Sequence, residues 1–203
     1  VSGSRNFGTL SQMKRDMMAE VAATLAFSTI ANNDKVGVIF FSDKIEKYIP
    51  AQKGKTHVLH IIRELLSFEP NSKGTDMAQA LQYFANAQKR HCTAFLISDF
   101  IGAGAVDKPL LIASNRHEVN AIQIYDRREA ELPNIGLVKF HDAESDKDLW
   151  IDTSLATVRD DYAQAWKQNQ DSLEQLFTRT GVNHISVRTD EDYVKALMHL
   201  FRC

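Results

Sequence analysis

Residues 92–100 read CTAFLISDF, an apolar, β-branched and aromatic run that ends in a carboxylate, Asp99. It shows no polar alternation, so both of its faces are buried, as in a parallel sheet covered by helices. In an open sheet of that kind ligands gather beyond the carboxyl ends of the strands. Asp99 therefore stands where such a fold does its chemistry.

The neighbouring segments repeat the pattern. PLLIASNRH (109–117) reads as a short helix and EVNAIQIYD (118–126) as another buried strand. Upstream, MAQALQYFANAQKR (77–90) and THVLHIIRELLSF (56–68) are helical, with the loop EPNSKGTD (69–76) between them. KVGVIFFS (35–42) is a further buried strand, and IEKYIPA (45–51), alternating and interrupted by proline, is an edge strand. The first helix, within LSQMKRDMMAEVAATLAFSTIANND (10–34), carries apolar residues at Met13, Met17, Val21 and Leu25 and at Met18, Ala22, Ala26 and Ile30. That spacing predicts a wide buried face. Strands alternating with helices imply an α/β fold, a doubly wound and mostly parallel sheet with helices on both faces.

The last third changes style. GLVKFHDAESDKDLWIDT (136–153) reads as two strands around the turn ESDKD. A long helix follows, capped by Asp152 or Thr153 and stopped at Gly181, then a strand, VNHISVRT (182–189), and a closing helix capped by Thr189 or Asp190. Trp150 and Trp166 sit in amphipathic patterns and are expected in the core. The whole is read as one domain, 1–203, in which 133–203 is an appended hairpin, helix, strand and helix.

Composition narrows the function. A net charge of -2 gives no basic footprint for nucleic acid. No apolar run is long enough for a membrane-spanning helix, and no secretory signal is visible. Cys92 and Cys203 have no metal-like spacing and no reason to pair, which suits a reduced, cytoplasmic protein.

Three further oxygen donors belong beside Asp99. Ser2 and Ser4 precede the first helix, and Thr75 opens the helix after the flexible loop. Hydroxyls with one carboxylate suit a small hard divalent ion. Both serines and Thr75 could instead be helix caps, but with Ser2, Ser4, Thr75 and Asp99 in register the ion-binding reading gains, and Thr75 can serve both roles. His57 and His60, three apart with Glu64 beyond, read as solvated surface residues and not as a zinc site. Asp126, Arg128 and Glu129 follow a strand at the same sheet edge and are expected to rim a partner surface or to form a solvated loop.

These segments resemble a known family. VSGS (1–4) looks like the tail of the Asp-x-Ser-x-Ser motif of von Willebrand factor type A domains, the metal-ion-dependent adhesion site, and KGTDM with Thr75 and ISD with Asp99 resemble its other two segments. YDRREAELP, WIDTS, VRDDYAQAW and TDEDYVKALMHLF resemble the bacterial domain-of-unknown-function family numbered fifty-eight, whose members are often encoded beside MoxR-type AAA+ ATPases. The resemblance implies Mg²⁺, or Mn²⁺ or Ca²⁺, held by Ser2, Ser4, Thr75 and Asp99. It implies a protein partner whose Asp or Glu completes the coordination, with a MoxR-type ATPase as a candidate. A metal-assisted phosphohydrolase and a scaffold with a vestigial site are the alternatives, and no catalytic base stands in the motif segments. Two departures stand out. The leading Asp would fall before Val1, and Phe100 stands where many relatives have Gly. The central first strand of the sheet is also missing from the sequence, so the natural protein is expected to supply an apolar strand ending in Asp directly before Val1.

Overall fold

The computed structural model describes residues 8–72, 74–102, 104–142 and 147–201. In chain order the elements are α1 (Gly8–Ala31), β1 (Val36–Phe41), β2 (Ile45–Gln52), α2 (Lys55–Ser67), α3 (Met77–Ala87), β3 (Thr93–Ser98) and α4 (Asp107–Ser114). They continue with β4 (Glu118–Tyr125), α5 (Arg127–Ala130), β5 (Leu137–Asp142), β6 (Lys147–Asp152), α6 (Ala156–Thr180), β7 (Asn183–Arg188) and α7 (Tyr193–Leu200). None of the helices is long and apolar enough to cross a membrane.

β3, β4 and β7 form a parallel sheet with β4 in the middle, in register from Thr93 against Glu118 and from Asn120 against Asn183. β4 shows why the sheet has helices on both faces. Its side chains alternate, so Val119 and Ala121 enter a cluster with Leu81, Leu110 and Phe177 of α3, α4 and α6. Ile122 and Ile124 enter a second cluster with Val21 of α1 and Leu197 of α7. Each such Val or Ile, fully buried, contributes about 1.5–3 kcal/mol. α1 also reaches the other strands, because Ala26 packs with Phe40, Ile49, Val58 and Ile61 of β1, β2 and α2.

β1 and β2 pair antiparallel, from Val36 opposite Gln52 to Phe41 opposite Ile45. Among the described residues neither strand bonds to β3, so the sheet has a break between β1 and β3. Burial carries the mark of it. β4 is buried along almost its whole length, whereas Val38 and Ile39 of β1 and Phe95, Leu96 and Ile97 of β3 are only half-buried.

Several expectations need correction. Trp150 is 60 % exposed on the two-stranded β5–β6 hairpin and is not core, whereas Trp166 is half-buried against Tyr125 with ring centres 5.3 Å apart. The turn centred on ESDKD falls largely outside the described residues. α6 starts later than expected, with Leu155 at its N-cap, because Asp152 is taken up by Ser154 and the Thr153 hydroxyl donates to the Gly136 carbonyl at 2.7 Å. Asp192, and neither Thr189 nor Asp190, caps α7. Gly181 does end α6, at φ 65°, and the Val182 N–H closes the turn on the Phe177 carbonyl at 2.9 Å.

Candidate functional site

The alternation that turns Phe95 and Ile97 toward α1 continues past the end of β3 and turns Asp99 the same way. Asp99 is 1 % exposed, and Lys14 of α1 meets it. Lys14 lies three and four residues before Met17 and Met18, on the helix face that packs on the sheet. Its Nζ stands 2.8 Å from Asp99 Oδ2 and 2.5 Å from Glu129 Oε1. Burial pushes the Lys14 ammonium down, but the charges of Asp99 and Glu129 outweigh it, and the group is held above its usual range. An ammonium buried this deeply is tolerable only because it is paired.

Glu129 is fixed from below. Its other oxygen accepts the Asp126 N–H at 3.0 Å, while Asp126 Oδ1 accepts the Arg128 N–H at 2.9 Å, a reciprocal cap that starts the single turn of α5. The Thr189 hydroxyl donates to Asp126 Oδ2 at 2.8 Å. Of the three residues placed on a partner-binding rim, Asp126 is thus buried and committed to the cap. Glu129 is a Lys14 partner, and Arg128 is exposed, with its carbonyl accepting from the Tyr162 hydroxyl at 3.1 Å.

The backbone beyond Asp99 is strained. Phe100 has φ 56°, a conformation that a bulky residue adopts only under constraint. The Phe100 N–H donates to Ser98 Oγ at 3.1 Å, the Ile101 N–H donates to Asp99 Oδ1 at 3.3 Å, and Gln123 Nε2 donates to the Asp99 carbonyl at 3.3 Å. The Phe100 ring, 2 % exposed, meets Phe177 edge-on at 5.3 Å.

Thr75 is half-buried in a loop stitched to the carboxyl end of β1, where the Asp76 N–H donates to the Ser42 carbonyl at 2.7 Å. Glu46 holds the same corner by accepting from the Ser42 hydroxyl at 2.7 Å and from Asn71 Nδ2 at 2.7 Å. Asp76, not Thr75, caps α3, accepting the Gln79 N–H at 2.8 Å. Thr75 thus lies in the loop held to the end of β1, and Asp99 closes β3. Ser2 and Ser4 lie outside the described residues. Of the expected ion-binding set, Thr75 and Asp99 offer the hydroxyl and carboxylate that a hard divalent ion takes, but an ammonium already stands on Asp99. Among the described residues no three of His, Cys, Asp and Glu converge as a metal would need.

Lys14 is the residue that reading the sequence missed. Its signal was present, since a lysine at 14 in the series 14, 17, 18, 21, 25 sits in an apolar slot. His57, read as solvated, is half-buried, and its Nε2 donates to the Val36 carbonyl at 2.8 Å. His60 is exposed and lies 3.9 Å from Glu64.

The model of the family described as "Protein of unknown function DUF58" matches residues 1–172. This chain belongs to the DUF58 family. Rv1480 of Mycobacterium tuberculosis, an uncharacterized protein, is 31% identical to this DUF58 chain over 198 residues, covering 96% of the chain and 62% of Rv1480. The chain therefore spans less than two thirds of that relative's length. MAV169 of Mycobacterium avium, also uncharacterized, is 30% identical over 158 residues, covering 76% of the chain and 92% of MAV169. Two crystal structures share the fold. BatB from Bacteroides thetaiotaomicron superposes with a TM-score of 0.52 at 15% identity, covering 91% of this chain and 86% of BatB. An aerotolerance-related membrane protein from Bacteroides fragilis superposes with a TM-score of 0.55 at 16% identity and the same coverages.

Proposed function

We propose that this DUF58 chain is a binding module, not an enzyme, and that it grips an Asp or Glu of a protein partner at the carboxyl edge of its sheet. The grip uses Mg²⁺ or a similar ion held by Ser2, Ser4, Thr75 and Asp99 in the manner of von Willebrand factor type A domains. The partner is a cytoplasmic protein, with a MoxR-type AAA+ ATPase the first to test.

The observation that carries the reading is the end of β3. A carboxylate buried to 1 % closes an apolar strand, and the next residue holds a left-handed backbone. Strain of that kind persists only where the surrounding structure over-determines it, and it clusters at functional sites. A hydroxyl donor such as that of Thr75 suits this chemistry, since an ion bound by few protein anions keeps affinity for an incoming carboxylate.

The test is capture of the full-length protein by a MoxR-type ATPase, with Mg²⁺ and with EDTA. Capture is expected only with Mg²⁺ and is expected to be lost in Thr75→Ala and Asp99→Asn, whose circular dichroism stays native. Capture indifferent to EDTA contradicts the reading.

A further inference from the structure

We infer that Cys92 and His117 form a thiol–imidazole dyad that makes Cys92 a site of oxidation to sulfenic acid by a small hydroperoxide. The dyad lies at the amino end of β3, the opposite end from Asp99, and does not depend on the metal-dependent reading above.

The strand register builds it. Cys92 is the residue before β3 and His117 the residue before β4. The parallel pairing sets Thr93 beside Glu118, and the Glu118 N–H donates to the Cys92 carbonyl at 3.0 Å. The two side chains meet there, with Cys92 Sγ 3.6 Å from His117 Nδ1. Cys92 is a free thiol and only half-buried, within reach of a small reagent. His117 is 3 % exposed, its ring centre 4.7 Å from that of Phe84 of α3 and 6.4 Å from that of His91. Its Nε2 has no hydrogen-bond partner among the described residues. A buried ring nitrogen left unpartnered costs stability, and a phenylalanine would fill the same space without that cost. What the imidazole adds is the nitrogen it presents to the thiol.

That nitrogen is a base. Burial raises the Cys92 thiol above its usual range, while burial, with the charges of His91 and Arg116, lowers the His117 imidazole. Glu118, the charged neighbour on β4, accepts from the Thr93 hydroxyl at 2.9 Å. At neutral pH the pair is thus an intact thiol beside a neutral imidazole. In the reaction His117 Nδ1 takes the Sγ proton while the sulfur electron pair attacks the terminal oxygen of the hydroperoxide. An S–O bond forms, the O–O bond breaks, and the leaving alkoxide or hydroxide takes the proton from the imidazolium. The thiol is oxidised to sulfenic acid and the hydroperoxide is reduced to an alcohol or water.

The experiment treats full-length protein with hydrogen peroxide, traps sulfenic acid with dimedone, and reads the initial labelling rate at Cys92 by peptide mass spectrometry. Folded protein is compared with the same protein unfolded in urea. A thiol that is merely buried reacts more slowly folded than unfolded, because burial suppresses its thiolate. The dyad reverses that order, and folded Cys92 is expected to react at least about tenfold faster, a modest share of what a positioned base supplies. Between pH 7 and 8 the folded rate is expected to stay nearly level, since the base is already neutral, whereas the unfolded rate rises about tenfold with the thiolate. His117→Phe keeps a ring against Phe84 and removes the base, and its folded rate is expected to fall below that of the unfolded chain. A folded wild-type rate equal to or below the unfolded one, or a tenfold rise per pH unit in the folded protein, overturns the dyad. So does a folded His117→Phe that reacts as fast as wild type. If His117→Phe fails to fold, the two wild-type measurements decide.

Discussion

Phe100 sets two opposed terms against each other at one position. Truncating a buried phenylalanine to alanine costs about 3–5 kcal/mol, and Phe100 is 2 % exposed with its edge on Phe177, so Phe100→Ala belongs within that range. Alanine keeps a Cβ and so keeps the penalty of a left-handed backbone, about 1–2 kcal/mol at φ 56°. Glycine loses the same ring but is released from that penalty, at the expense of extra freedom in the unfolded chain of about 0.5–1 kcal/mol. Phe100→Gly is therefore expected to be less destabilised than Phe100→Ala by roughly 0.5–1 kcal/mol, the reverse of the order in a helix interior. Urea unfolding followed by far-ultraviolet circular dichroism gives both values on one scale. Phe100→Ala equal to or more stable than Phe100→Gly would refute the strained turn after Asp99.

Three further outcomes are expected. His117 is buried with Nε2 unpartnered among the described residues, and burial, helped by the charges of His91 and Arg116, holds its pKa below 6.5. The unfolded chain then takes up a proton that the folded one refuses, so stability is full above pH 6.5 and is lost as pH falls through the folded pKa; His117→Leu should flatten that part of the slope in denaturation at pH 7.5 and 5.5. Amides of Val38 and Leu96, beside the break, should exchange with deuterium faster than those of Ala121 and Ile122 in β4, and equal protection would mean that the two strand edges are covered. His60→Gln should leave stability within about 0.5 kcal/mol, whereas His57→Ala should lose about 0.5–1.5 kcal/mol with the bond to the Val36 carbonyl, both read by urea midpoint.

How far these features can be read from residues depends on whether the cause is local. β4 announces itself because Val119, Ala121, Ile122 and Ile124 put apolar residues on both of its faces, while its two buried polar residues, Asn120 and Gln123, are paired with Asn183 and Ser186. Gly181 does so because its φ of 65° favours glycine. Caps are less legible. Thr189, Asp190 and Asp192 are all chemically fit, and the choice of Asp192 depends on where the chain turns after Arg188, which the Thr189–Asp126 bond helps to decide. Trp150 looked like core by pattern, yet β5 and β6 pair only with each other among the described residues, so one hairpin face meets solvent. Asp99 was legible from the strand it ends. Lys14 is hidden from a reading of residues because Met13 and Lys14 are adjacent and pattern favours the apolar one for the buried face. Met13 is 53% exposed and Lys14 is buried, because a long stem can line the core while its ammonium finds two carboxylates.

The central claim is that the carboxylate of Asp99 serves a divalent ion. The most direct test is calorimetric titration of the full-length protein with Mg²⁺ and Mn²⁺, wild type beside Asp99→Asn, with folding of each checked by circular dichroism. The account predicts one saturable ion in the wild type and none in Asp99→Asn. Equal binding in the two proteins would contradict it, because the ion would then be held without Asp99.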